Sequence, residues 1–199
     1  MMKSDMSLLR IVSIGVSVVL GLVLPAIAQS ERFPTDAEQQ QLMQQMRQKL
    51  PELEASGIYT DRRTLAEQWV AAEFSNIWAE GDPAIAPYLG EWVAIEESLY
   101  IYPSMTPGEV CILDIYLDQG DFYTGQVHDG NIYTDANLVL LLDSGYLGST
   151  FVYDNQPGIY EYANPRPLST PLEALSEWYP DAIAAFQAAN CAVGLPTTF

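Results

Sequence analysis

Carboxylates and phenols are the side chains with which this chain can do chemistry. It carries one histidine (His128) and two cysteines (Cys111 and Cys191), against 26 Asp and Glu and 12 Tyr in 199 residues. A single imidazole excludes multi-histidine metal centres, and two thiols exclude zinc fingers and cysteine-rich redox clusters. No Gly-x-Ser-x-Gly elbow, phosphate-loop pattern or dinucleotide glycine fingerprint occurs in the sequence. His128 stands beside Asp129 and Asn131, which a metal could use, but an Asp-Gly turn recruits the same polar neighbours for structural reasons. Glycosidase-type chemistry needs two carboxyls at a defined separation. Glu96 and Glu97 are adjacent, and neighbouring strand residues point to opposite faces, so a catalytic pair has to come from different strands.

Two further clusters bear on binding. Aspartates recur at the expected turns. In a meander whose turns alternate between two ends, Asp118, Asp121, Asp135 and Asp154 fall at one end, with Glu91 at the start of the first strand. Carboxylates on one rim suit a hard cation such as calcium, which takes six to eight oxygens. Turn aspartates also cap turns without any metal, and no linear calcium motif is present. Tyrosines form the second cluster. Tyr116 shares a strand face with Asp114 and Asp118, and with Tyr123 on the next strand these residues define an exposed binding surface for sugars or a protein partner. Strand propensity and cross-strand pairing explain the same tyrosines with no ligand. Gly125, in mid-strand, marks a bulge or a close backbone approach.

The elements that must hold these residues follow from periodicity. Thr35-Asp-Ala-Glu38 is a capping box, opening a helix over residues 35–50 that Pro51 should end; its apolar face is thin, so it packs peripherally. A second helix, 60–80, carries the stripe Leu65, Trp69, Val70, Phe74, Ile77 and Trp78, expected to cover the sheet, with Gly81 as C-cap. From Glu91 the period falls to two. Strands are expected at 92–102, 109–118, 121–128, 131–135, 138–142, 146–154 and 158–163, divided by turns that include Asp118-Gln-Gly-Asp121, with glycine at a positive φ, and the hairpin dipeptide Asp129-Gly130. Short loops make this an antiparallel meander of six to seven strands, open or barrel-like. A C-terminal helix starts at the capping box Thr170-Pro171-Leu-Glu173 and restarts at Pro180. The expected fold is α+β, a meander sheet flanked by N-terminal and C-terminal helices.

Residues 1–28 read as a secretory signal peptide: Lys3 and Arg10, an apolar run from Ile11 to Leu24, then Ala26-Ile27-Ala28 as the cleavage site. The mature chain divides into a helical arm (29–59) and one domain (60–199), secreted or periplasmic. An oxidising compartment favours a Cys111–Cys191 disulfide, which closes an 80-residue loop and adds about 4–5 kcal/mol in the chain-entropy model.

Net charge is −18, and residues 64–199 hold nineteen acids with Arg166 as their one cation. Nucleic acid and anionic membrane are repelled by such a chain, while cations or a basic protein are favoured partners. The leading expectation is therefore a non-enzymatic, exported, acidic binding or interaction domain that requires no cofactor, with calcium as the one ion its aspartates suit. The alternative is a carboxylate-dependent hydrolase with acids from different strands.

Overall fold

The structure, a computed structural model, describes residues 30–57, 59–168 and 172–195. The expected signal peptide, residues 1–28, and the expected cap at Thr170 and Pro171 lie outside the described residues.

Eight strands pair antiparallel in sequence order, and the last pairs with the first to close a barrel. They are β1 (Gly90–Val93), β2 (Glu97–Pro103), β3 (Glu109–Tyr116), β4 (Gln119–His128), β5 (Asn131–Thr134), β6 (Val139–Asp143), β7 (Tyr146–Tyr153) and β8 (Gln156–Arg166). The α+β meander is as expected, with one strand more. The segment 92–102 is two strands, because the chain reverses at residues 94–96, where the Ala94 N–H donates to Glu97 O and Glu96 takes a left-handed φ of 63°. Glu91 therefore lies at the opposite end of the barrel from the aspartate turns.

The turns follow local chemistry. Asp129-Gly130, Ser144-Gly145 and Asp154-Asn155 all have positive φ at both central residues, the mirror-image hairpin turn whose twist matches that of the strands. The β3–β4 turn differs from expectation. Leu117, at φ 50°, takes the left-handed position, whereas Gly120 lies within β4 and leaves room for Tyr179: an added Cβ would sit 2.7 Å from its ring. Gly125 is a close approach and no bulge, since pairing with β3 runs in register through it and an added Cβ would meet Ile132 Cγ2 at 2.5 Å.

Inward residues fill the lower barrel: Leu99, Ile101, Val110, Ile112, Ile132, Leu140 and Leu147 are all buried. An eight-stranded barrel has an interior just wide enough for side chains or one small ligand. The end at which β1 begins is stoppered by Ile85, the short 3-10 helix Ala86–Tyr88, Leu89 and Trp92. Tyr88 Oη donates to Gly130 O at 2.6 Å, the Trp92 indole N–H donates to Tyr88 O at 2.7 Å, and the Gly108 N–H donates to Asp82 Oδ2.

Helices cover much of the outside. Helix α1 (Asp36–Ala55) starts at the Thr35–Glu38 capping box, as read, but continues through Pro51 to a last turn closed by the Ser56 N–H on Glu52 O. It packs more firmly than its thin stripe implied, with Leu42, Met46 and Leu50 buried and the last two set against Tyr146 and Ala163. Helices α3 (Leu172–Trp178) and α4 (Pro180–Ala188) lay Leu175, Ile183 and Phe186 on Tyr100, Tyr102, Cys111 and Leu113. The Cys111–Cys191 disulfide is formed, with a Cα–Cα distance of 5.8 Å.

Helix α2 (Leu65–Gly81) corrects an expectation. Leu65, Trp69 and Val70 are 83%, 64% and 46% exposed, and Trp78 is the buried member of the stripe. A sheet that closes on itself buries its own inner face and needs no covering helix. α2 instead braces the stoppered end through Phe74, Trp78 and a Ser75 Oγ–Ala86 O hydrogen bond.

Candidate functional site

The end opposite the stopper holds a cavity of about 290 Å³ lined by Glu97, Asp114, Leu138, Ser149, Phe151 and Tyr162 among others. Alternation along the strands puts Glu97, Asp114 and Tyr116, Asp121 and Tyr123, and Tyr160 and Tyr162 on the inner face. The register sets Asp114 directly opposite Leu99 on β2 and Asp121 on β4, with Glu97 one step nearer the rim. Two carboxyls from adjacent strands thus meet inside the barrel.

Phenols hold them. Tyr123 Oη donates to Asp114 Oδ2 at 3.0 Å, and Tyr162 Oη donates to Glu97 Oε1. Tyr160 stacks edge-on against Tyr162, with ring centroids 5.4 Å apart, and donates to Ile95 O in the β1–β2 hairpin. Asp114 Oδ1 is sealed from solvent and, with both carboxyls ionised, has no donor. A buried acceptor in that state is costly. The Glu97 and Asp114 carboxyls line the same cavity, and each bears on the other's titration. Burial, followed by the charge of Glu97, raises the Asp114 pKa well above the ordinary carboxylate range. Burial raises Glu97 as well, opposed by the hydrogen bonds from Tyr162 and Asp114. Asp121 is raised by burial alone. Raised pKa values on two neighbouring acids favour the protonated form of the pair.

Part of the rim is laced by the N-terminal strap. The Glu31 N–H donates to Val152 O at 2.9 Å, the Val152 N–H donates to Ser30 Oγ at 2.8 Å, and Asn137 Nδ2 donates to Ser30 O at 3.0 Å. Ser30 also lines the cavity.

The structure scatters some residues singled out in the sequence and gathers others. Asp114 and Tyr123 do share a face with Tyr116, but that face is the barrel interior: Tyr123 is buried, and only Tyr116, at the mouth, is exposed. Asp118, Asp135 and Asp154 lie on three different turns of the open end, and Asp121 faces inward. Asp135 bonds the middle of β4, accepting from Thr124 N at 3.1 Å and Thr124 Oγ1 at 3.3 Å, while the Asp154 N–H donates to Glu31. Among the described residues no group of three or more His, Cys, Asp and Glu side chains is placed to hold a metal ion. His128 is exposed beside Asp129.

Glu97 is the residue that sequence reasoning sets aside, by placing it with Glu96 on opposite faces of one strand. The alternation Glu97, Leu99, Ile101 against Ser98, Tyr100, Tyr102 was the available signal for Glu97. A strand begun at residue 92 placed Glu97 mid-strand with Glu96 as its opposite, and hid it.

Comparison with protein-family profiles, curated proteins and solved structures finds no match. The protein is thus defined by its own geometry: a meander barrel stoppered at one end and open at the other onto a carboxyl pair among tyrosines.

Proposed function

We propose that the protein is an exported binding protein that holds one small ligand, apolar over most of its body and polar at one end, in the open end of the barrel. The observation that carries this reading is the cavity of about 290 Å³, which has aromatic and aliphatic walls and the Glu97–Asp114 pair as its polar end. Binding sites are typically concave and largely apolar, with a few convergent polar groups that fix orientation. Export rests on the pattern of residues 1–28 and is supported by the Cys111–Cys191 disulfide, a bond that persists in oxidising compartments. No helix among the described residues is long and apolar enough to cross a membrane. The acidic outer surface favours cations or a basic protein as further company.

The test is a fluorescence titration of the mature, oxidised protein with N-phenylnaphthylamine, a neutral apolar probe. Saturable binding at one site, weakened by the cavity-filling Ser149→Leu in a protein with unchanged near-UV circular dichroism, is the expected result. Non-saturable binding, or binding indifferent to the substitution, would overturn the proposal.

The hydrolase reading has one observation in its favour, two carboxyls from different strands in one cavity. Glycosidases keep their two acids about 5–9.5 Å apart to admit the sugar or water, whereas Asp114 Oδ1 is sealed from solvent. Turnover of aryl glycosides by the wild type but not by Asp114→Asn would reverse this preference.

A further inference from the structure

The proposal above leaves the polar end of the ligand unspecified, and three observations constrain it. First, among the described residues lining the cavity there is no lysine, arginine or histidine, and the barrel strands supply Arg166 as their one cation, at the far end of β8 where it pairs with Glu91. The carboxyl pair thus has no protein counter-ion within the cavity. Second, Asp114 Oδ1 is sealed from solvent and has no donor, an acceptor that either a proton on the pair or an incoming N–H would satisfy. Third, the walls beside the pair are aromatic: Phe151, Tyr153, Tyr160 and Tyr162. Ring faces attract cations, more strongly when water is excluded.

We infer that the cavity takes an organic cation, a primary ammonium on an apolar body, which docks on Glu97 and Asp114 in exchange for the proton that the pair holds in the empty protein. This rests on the barrel being a ligand site. No covalent bond changes. The proton leaves to solvent, the pair becomes two carboxylates, and the ammonium donates N–H bonds to both, with Tyr123 and Tyr162 still donating from the other side. An ammonium supplies three donors and no acceptor, which matches a cluster whose free valences are all acceptors. A neutral hydroxyl of the same shape leaves the proton in place and makes one uncharged bond, roughly half as strong as a charge-assisted one. The other titratable groups facing the pair are Asp121 and Tyr123 on β4, Tyr116 on β3, Tyr153 on β7 and Tyr160 and Tyr162 on β8; burial raises Tyr123, Tyr160 and Tyr162, so these three stay neutral over the working range. Asp121 adds negative charge beside Asp114 and favours the same cation.

The experiment is calorimetric titration of the mature protein with benzylammonium and with its neutral isostere, benzyl alcohol, in buffers of different ionisation enthalpy. Benzylammonium is expected to bind about tenfold or more tightly than the alcohol near neutral pH, to release between half a proton and one proton per ligand, and to weaken as pH falls, by at most about tenfold per unit for one exchanged proton. The alcohol should show neither proton release nor pH dependence. Glu97→Gln and Asp114→Asn should each abolish the preference and the proton release while retaining the alcohol. If one variant does not fold, the other and the wild-type pH series carry the same test. Equal binding of the two ligands, or proton-neutral ammonium binding, overturns the inference. Displacement of N-phenylnaphthylamine by benzyl alcohol alone would retain the ligand-binding barrel and reject the cation, whereas failure of every probe to bind would reject both.

Discussion

Asp114 and Glu97 are half-buried acids on neighbouring strands, and desolvation gives their effect on stability a definite sign. Both pKa values are raised in the folded protein, so between the ordinary carboxylate range and the raised values the native state holds protons that the unfolded chain has released. Stability linked to this pair is full below that window and falls as pH rises through it. Asp114→Asn places an amide donor where the pair's proton sits and removes the titration. It should raise stability near neutral pH by about 1–2 kcal/mol and flatten the pH slope, as read by urea unfolding over a pH series. Tyr162→Phe removes a donor that lowers Glu97, so it should move Glu97 further upward, seen by carboxyl NMR titration, and cost about 1 kcal/mol. Glu38 has the opposite sign. Hydrogen bonds from Arg32 and Thr35 pull it down to about 2, and its contribution is lost only as pH falls toward that value. Part of this was legible in the sequence. Period two placed Asp114, Tyr116 and Tyr123 on common faces, but alternation does not say whether a face looks outward to water or inward across a closed barrel.

At the scale of elements, capping boxes and paired turn residues were the most legible features because their chemistry is local. Thr35 with Glu38 opens α1 by reciprocal hydrogen bonds, and Asp129-Gly130 makes its hairpin, whereas the matching Thr64–Glu67 box that opens α2 lies four residues beyond the expected start at residue 60. The β1–β2 hairpin was illegible for the converse reason: Glu96 takes a left-handed φ with no glycine or asparagine to announce it. Amphipathic stripes were misjudged both ways, α1 as loose and α2 as core, since a stripe shows which side is apolar but not what lies opposite. Docking of α1 depends on fit. Met46 is fully buried, and a Cβ on Gly148 would come 3.1 Å from its sulfur and 2.7 Å from Ile159 Cδ1. Met46→Ala should therefore cost about 2–4 kcal/mol in chemical denaturation, and Gly148→Val should destabilise by overpacking where an exposed substitution at Gln45 would not.

For the whole molecule, closure was the illegible step, since no local signal tells β8 to find β1. The disulfide was legible from compartment and count. Reducing Cys111–Cys191 should cost about 4–5 kcal/mol, measured as the difference between urea transitions with and without reductant. The charge of −18 makes self-repulsion a global term, so sodium chloride should raise Tm. If screening is the whole effect, calcium at matched ionic strength should raise it equally, and selective stabilisation by sub-millimolar calcium would mean a formed site. The β1–β8 seam bears on how the molecule is made. Every other strand pair joins sequence neighbours and can zip locally, whereas this one unites the two ends of the meander, with a register irregularity between Glu91 and Val93. Such a long loop has to be closed before its contacts give any return. The cavity lies between walls from β2 and β3 on one side and β7 and β8 on the other, so it is complete only in the closed barrel. A ligand can then act neither as template nor as nucleus for folding. It can only hold shut a barrel already formed, slowing unfolding while leaving the folding rate unchanged.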